Sequence, residues 1–271
     1  MSLYDINGNV LSSASDVNGN SIPTGYDING NPNTFNSPYL TVMTYNVQYW
    51  GGRNGMEAVI SDIFMNNKPD LVGCQECPND GTIMPRFMRG SWGGTGTKSP
   101  LRVFYNIPCT DRSMKIYDSI SGDEYRGYMK FKINVAGKDI TVFNTHIEVL
   151  GTTQHYSQPA ELLAAMNQEE YVIALGDFNV ETHSKTGNEY PQACKPFIDA
   201  GYNLCNWTDE TGFVDTWFGG STPTGYICPC DNIITSPNID VLDIVYDDTK
   251  LLFDNGQAID HIPVIARLEV K

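Results

Sequence analysis

Hydrophobic positions along the chain switch between two periods. "YLTVMTYNV", starting at Tyr39, is rich in β-branched and aromatic residues and predicts a strand. "GMEAVISDIFMNN" spaces Met56, Val59, Ile60, Ile63 and Phe64 along one side of a helix. "DLVGCQE" has the continuous apolar character of a short buried strand. "YMKFKINV" alternates, and "KDITVFNTH" follows it after Ala136-Gly137, so the two predict a hairpin. "QPAELLAAMNQ" predicts a helix with Pro159 near its first turn. "YVIALGDF" predicts another strand, with Gly176 allowing a close turn at its end, and "CDNIITS", "DVLDIVYDD" and "IPVIARLEV" predict the strands of the last third. This mixture of strand-helix alternation with hairpins predicts an α/β protein. Its core is either one mixed sheet or two packed sheets covered by helices.

The first residues do not share this pattern. "YDINGN", "SDVNGN" and "YDINGN" begin at Tyr4, Ser15 and Tyr26, an 11-residue repeat. Asn-Gly between short runs is a strong signal for a tight hairpin turn. The D-x-N-G-N spacing lacks the further acidic positions of an EF-hand loop. Residues 1–37 are therefore expected to form turn or hairpin repeats or a tether, loosely similar to tyrosine–aspartate repeats of bacterial surface and phage-tail proteins. Residues 38–271 are expected to form the main domain, with no second boundary.

Net charge is −15, and no Lys/Arg cluster stands out. That disfavours sequence-independent wrapping of a nucleic-acid backbone, which needs many phosphate-neutralising cations. It leaves room for an enzyme that meets phosphate through a metal ion. No apolar run reaches the roughly 18 residues of a membrane span. "MSLYDINGNV" lacks the basic and apolar regions of a signal peptide, which leaves a cytoplasmic or a phage- or surface-associated setting open. The seven cysteines cannot all pair within one chain. "CQEC" and "CPC" lack regularly spaced partners for zinc, so buried free thiols are the expectation.

Several predicted strands end in polar groups. "VMTYN" ends at Asn46, "LVGCQE" at Glu76, "TVFNTH" at Asn144 and His146, and "VIALGDFN" at Asp177 and Asn179. Asp231 opens a strand, and Asp260-His261 immediately precedes the last one. Singly, each is ordinary: strand-end Asp and Asn commonly cap turns, and a lone His commonly makes a structural hydrogen bond. Glu76 is either solvated or a buried acid needing a partner. His155 and His183 fall in polar loops and read as surface residues. Together, the strand-end groups mark one rim of a sheet, where sites form in such folds. Acids, amides and imidazoles without a Ser or Cys beside a base suit Mg²⁺ and an activated water rather than a covalent intermediate.

In this order the segments "MTYNV", "PDLVGCQE", "NTHIE", "LGDFNVE", "CDNIITS" and "DHIPVIARLEV" resemble the endonuclease/exonuclease/phosphatase superfamily, the DNase I-like fold. They span Thr41 to Val270. The resemblance implies a four-layer α/β sandwich with two central mixed β-sheets flanked by helices. It also implies metal-dependent cleavage of a phosphoester by in-line attack of water. Glu76, Asn46 (through its amide oxygen) and Asp260 would then hold Mg²⁺, with Mn²⁺ as a substitute. Asp177 and Asn179 would orient or deprotonate the water and touch the phosphate. His261 would contact phosphoryl oxygens or act as the base, with Asp231 fixing its tautomer. His146 would stabilise charge building on phosphorus oxygens. Such an attack needs a cation, a placed water and donors to the equatorial oxygens.

Specificity in this superfamily lies in loops, and here these are short. Asn232 in "CDNIITS", and the absence of an "NYR" ending after "GDF", depart from lipid-type inositol phosphatases. Arg126 and Lys130 are either phosphate contacts or exposed strand cations. Trp50 and Arg53 lie on a loop that could stack a base, or Trp50 belongs to the core. A nuclease-type phosphodiesterase, acting on nucleic acid, is the first expectation. A phosphatase or sphingomyelinase-like enzyme is the second. An inactive attachment module on a surface or phage-tail protein is the third.

Overall fold

The computed structural model describes residues 3–4, 10–11, 37–48, 56–77, 88–93, 100–119, 126–149, 153–180, 193–207, 214–217, 228–248 and 260–271. In chain order the elements are β1 (Leu3–Tyr4), β2 (Val10–Leu11), β3 (Tyr39–Asn46), α1 (Met56–Asn67), β4 (Leu71–Gln75), β5 (Gly90–Gly93), β6 (Arg102–Tyr105) and β7 (Thr110–Ile116). They continue with β8 (Gly127–Val135), β9 (Lys138–His146), α2 (Gln154–Met166), β10 (Tyr171–Asp177), α3 (Lys195–Asp199), β11 (Asn203–Leu204), β12 (Asp231–Thr235), β13 (Ile239–Tyr246) and β14 (Val264–Val270).

Two six-stranded sheets form the body, one in the order β11-β12-β10-β9-β8-β7 and the other β13-β14-β3-β4-β6-β5. They repeat one plan. Each centres on a parallel pair, β9 with β10 and β3 with β4, joined through α2 and α1 respectively. After each pair the next strand goes to the edge, and the one after it fills the gap: β11 then β12, and β5 then β6. The predicted hairpin is β8–β9. Its turn residues Ala136 and Gly137 both take positive φ, 50° and 82°, as a tight hairpin turn requires.

The sequence pattern explains the layers. β4 (LVGCQ), β10 (YVIALGD) and β12 (DNIIT) are buried at every position because both faces are covered. Between the sheets lie Val42, Leu71, Val103, Phe131, Val142, Ile173, Ile233 and Val264. Ile60, Ile63 and Phe64 of α1 pack on Met43, Tyr45, Val72 and Phe104 across the outer face of one sheet. Leu162 and Met166 of α2, with Phe197 of α3, cover Phe143, Val172, Ala174 and Ile234 on the other. The result is the expected four-layer sandwich. β7 is an edge strand, mostly exposed, and its polar sequence reflects that.

Four local expectations change. α2 begins at Gln154, so Pro159 is inside the helix rather than near its first turn. His155, expected on the surface, is buried in that first turn and its Nδ1 lies 2.8 Å from the Glu148 carbonyl. Gly176 does not serve a turn. It lies within β10, where a Cβ would come within 2.9 Å of the Thr145 carbonyl oxygen on the neighbouring strand. Lys130 reaches no rim group; its Nζ pairs with Glu169 at 2.6 Å. All seven cysteines carry free thiols, and all but Cys109 are buried. In the repeat segment, β1 and β2 pair antiparallel on either side of the first Asn-Gly. The rest of that segment, Trp50, Arg53, Glu181 and His183 lie outside the described residues. At the end of the sandwich opposite the tips of β3 and β10, the Val270 N–H donates to the Pro38 carbonyl at 2.9 Å.

Candidate active site

Both parallel pairs run to the same rim, and their last residues meet across the seam between the sheets. Asn46, ending β3, donates from Nδ2 to Asp177 Oδ2 at 2.9 Å, and Asp177 ends β10 in the other sheet. The same amide group lies 3.3 Å from Glu76 Oε1, directly after β4. Three chain segments leave this rim through left-handed backbone: Gln48 (φ 45°), Glu76 (φ 55°) and Asn179 (φ 49°). Non-glycine residues rarely adopt that region, and such strain concentrates at functional sites.

Just below the rim, a polar clasp joins the sheets. Asn144 Oδ1 accepts from Gln75 Nε2 at 2.7 Å. Asn144 Nδ2 donates to the carbonyls of Cys74 and Arg102 at 3.1 and 3.0 Å. Gln75 in turn hydrogen-bonds Thr44. Each clasp residue stands one or two positions before a rim residue: Thr44 before Asn46, Gln75 before Glu76, Asn144 before His146. The sheets approach so closely here that a Cβ on Gly73 would lie 2.9 Å from Asn144 Oδ1.

Asp177 is the hub of the rim. Its Oδ1 accepts the Asn179 backbone N–H at 2.8 Å. Its Oδ2 lies 3.3 Å from His146 Nε2 and 3.7 Å from His261 Nε2. Burial and the neighbouring Asp231 charge push its pKa up, while His261 and Asn46 pull it down, leaving it at about 6. Asn179 is turned by a second bond, from Nδ2 to the Ile147 carbonyl at 2.8 Å. Burial holds His146 well below the ordinary histidine range, reinforced by Arg126 and His261. His146 is therefore neutral near pH 7, and its 3.3 Å contact with Asp177 is not an ion pair.

His261 behaves in the opposite way. Its Nδ1 lies 2.7 Å from Asp231 Oδ2. Burial opposes its charge, but Asp231 and Asp177 outweigh burial and raise it to about 10. The ring is an imidazolium at neutral pH, fixed by Asp231 and presenting Nε2–H. Asp260 accepts on Oδ2 from Gln48 Nε2 at 2.9 Å and from Trp217 Nε1 at 3.1 Å. Its Oδ1 is buried without a hydrogen-bond partner, 4.0 Å from His261 Nε2.

Arg126, immediately before β8, is buried rather than an exposed strand cation. Its Nε lies 4.0 Å from Glu148 Oε2, too far for a hydrogen bond, and Nε and Nη1 have no partners. The sequence reading missed Glu148, although "NTHIE" puts it in the same alternation as Asn144 and His146. It also missed Gln48 and the Thr216-Trp217 segment, for which the sequence carries no comparable pattern.

Oxygen ligands for a cation are present. Ligand atoms of Asp177, Asp231 and His261 all fall within 4.8 Å of one another, so this buried group could hold a metal ion. Of the set expected from the sequence, Asn46 meets Glu76 through its NH₂ at 3.3 Å, and Asp260 is tied to Gln48 Nε2 at 2.9 Å. Asn46 gives its NH₂ to the two carboxylates, and its amide oxygen accepts the Gln48 N–H at 3.0 Å. A carbonyl oxygen has a second lone pair for a cation. The orphaned Asp260 Oδ1, and the excess of buried carboxylates over Arg126 and His261, fit a site completed by positive charge.

No family model matches the sequence, and no curated protein is matched by it. Solved structures share the fold. An endonuclease/exonuclease/phosphatase from Bacteroides vulgatus is similar over 86% of this chain and 99% of its own, at 17% identity and a TM-score of 0.67. D. rerio TDP2, complexed with a single-strand DNA product, covers the same shares at 12% identity and a TM-score of 0.68. The human Nocturnin catalytic domain with a bound sulfate anion is similar over 86% of this chain and 94% of its own, at 14% identity and a TM-score of 0.64. The chain thus has the fold of endonuclease/exonuclease/phosphatase structures.

Proposed function

We propose that the chain is a metal-dependent phosphoesterase of the nuclease type, hydrolysing a phosphodiester by in-line attack of water. The observation that carries this reading is geometric: the buried Asp177 carboxylate meets His146 Nε2 at 3.3 Å and His261 Nε2 at 3.7 Å, with Asp231 at 2.7 Å behind His261. Asp177 is ionised above about pH 6, while His261, 3.7 Å away, is held protonated by Asp231. Such a pair gives a base and an acid at one pH.

In this reading Asp177 orients the water and takes its proton. Asn46 and the Asn179 N–H fix the carboxylate for that task. His261 donates Nε2–H to a phosphoryl oxygen, where negative charge grows. Neutral His146 holds Asp177 from the other side without adding charge. Arg126, paired with Glu148 at 4.0 Å and acting electrostatically on His146, adds a buried positive charge to this rim. Glu76, Asp260 and Asn46 would hold Mg²⁺ or Mn²⁺, which supplies positive charge to the phosphate and leaving oxygen when bound. The DNA product bound to D. rerio TDP2 supports a nucleic-acid substrate on this fold.

The test is hydrolysis of bis-p-nitrophenyl phosphate and p-nitrophenyl phosphate with Mg²⁺ or chelator. A panel of single- and double-stranded DNA, RNA, sphingomyelin and inositol phosphates follows. The expected result is Mg²⁺-dependent turnover of the diester and of nucleic acid. Cleavage confined to monoesters or lipids would move the substrate to another branch. No metal-dependent turnover at all would favour an attachment module.

A further inference from the structure

The tripeptide Asp215-Thr216-Trp217 lies outside the named strands, yet its side chains bond Cys228, Asp231 and Asp260. Asp215 Oδ1 accepts from the Cys228 N–H at 2.8 Å. Thr216 Oγ1 accepts from the Asp231 N–H at 3.0 Å and donates to the Cys228 carbonyl at 3.3 Å. Trp217 Nε1 donates to Asp260 Oδ2 at 3.1 Å. The backbone adds two bonds: Thr216 N–H to the Cys228 carbonyl, and Ile262 N–H to the Thr216 carbonyl, at 3.1 and 2.9 Å. Trp217 thereby stands opposite His261 in an antiparallel bridge.

We infer that Asp215-Thr216-Trp217 is a positioning clamp: Thr216 sets Asp231 and, through it, the His261 ring, while Trp217 turns Asp260 so that Oδ1 alone is left toward His261. This rests on the phosphoesterase reading above. The physical need is plain. The 2.7 Å bond between His261 and Asp231 joins the last loop of the domain to the first residue of β12. Neither segment alone fixes that distance. Thr216 is wholly buried and bonds both, by hydroxyl to Asp231 and by carbonyl to Ile262. Asp260 faces two donors on one oxygen, which pins the carboxylate and leaves the other oxygen without a partner. Partners behind the groups that touch substrate or metal commonly matter about 10- to 100-fold in activity.

The experiment uses the full chain and three variants: Thr216→Val, Thr216→Ser and Trp217→Phe. Turnover of bis-p-nitrophenyl phosphate with Mg²⁺ is read as kcat and KM. The low-field proton resonance of His261 Nδ1–H is followed by NMR in ¹⁵N-histidine protein. Thr216→Val is expected to lose about 10- to 100-fold in kcat, with KM moving far less, and to lose the resonance. Thr216→Ser is expected to restore both, since it keeps the hydroxyl. Trp217→Phe is expected to lower kcat while the resonance stays. Unchanged kcat and resonance in folded Thr216→Val overturns the clamp, as does a Thr216→Ser variant no better than Thr216→Val. If Thr216→Val does not fold, unchanged kcat in Trp217→Phe overturns it. If the wild type hydrolyses no ester, the phosphoesterase reading fails, and the resonance judges the clamp: lost in Val and kept in Ser supports it, kept in Val overturns it.

Discussion

Asn46 and Asp177 stand 131 residues apart in the chain, in different sheets, and share a 2.9 Å hydrogen bond. That bond crosses the seam at which the site is assembled. It also steadies Asp177 as a carboxylate, because donation from Nδ2 favours the ionised form. Asn46→Ala should therefore lower kcat by about 10- to 100-fold. It should also shift the acidic limb of the pH–rate profile upward, since Asp177 would protonate more readily. An unshifted limb with normal kcat would show that the bond does not matter to the chemistry.

Glu76→Gln tests the cation side. It removes one negative charge from a rim where carboxylates already outnumber cations, so the fold should survive. The Mg²⁺ concentration for half-maximal activity should rise and turnover should fall by about two orders of magnitude or more. Circular dichroism and a Mg²⁺ titration of rate would measure both. Near-normal activity would remove Glu76 from the metal set.

The pH dependence of stability follows from His261. Its folded pKa of about 10 lies above the ordinary 6.5, so the folded state binds the proton more tightly. The stabilisation is fully present below about pH 6.5 and is lost as pH rises through 10. Asp177 acts in the same sense at lower pH: raised to about 6, it contributes below 3.8 and nothing above 6. In chelator, urea unfolding of the wild type should give lower stability at pH 9.5 than at pH 6.5. His261→Gln should flatten that difference. An equal difference in both proteins would mean that other groups carry it.

Gly73→Ala probes the seam. An added Cβ would lie 2.9 Å from both Asn144 Oδ1 and Leu175 Cβ, and neither belongs to a flexible side-chain end. The sheets must shift, at a cost of about 1–3 kcal/mol. Thermal unfolding should fall accordingly, and kcat should fall as well because the clasp fixes the offset between Asn46 and Asp177. A variant as stable and as active as the wild type would show that the seam can relax.

How much of this was legible beforehand depended on what each feature requires. The central strands were legible because "YVIALGD" and "LVGCQ" are apolar throughout, which only double-sided burial explains. The rim was legible because its oxygens and imidazoles end those strands in a recognisable order. His155 has polar neighbours in the sequence that give no sign of its burial, which comes from the 147–149 segment folding back on α2. Gly176 has the sequence context of a turn glycine, but its constraint is Thr145 on another strand. Thr216 and Trp217 left no trace in the pattern, because their partners lie 15 and 43 residues away and their own segment has no periodicity.

Removal of residues 1–36 is the remaining test. If the 11-residue repeats are a tether, the shortened chain should fold and hydrolyse small diesters at the wild-type rate. A folded but inactive product would place part of the repeats at the site.

The Val270–Pro38 bond has a bearing on how such a domain is mounted. β14 returns antiparallel to β3, so Glu269 lies opposite Tyr39 while Val264 lies opposite Thr44. Entry and exit therefore share one pole, and the rim occupies the other, about 25 Å away along an eight-residue strand. A domain hung from a single point can be strung from, or spliced into, a larger chain without stretching either sheet. Whatever is joined at that pole leaves the opposite end facing outward, like a tool held by its handle.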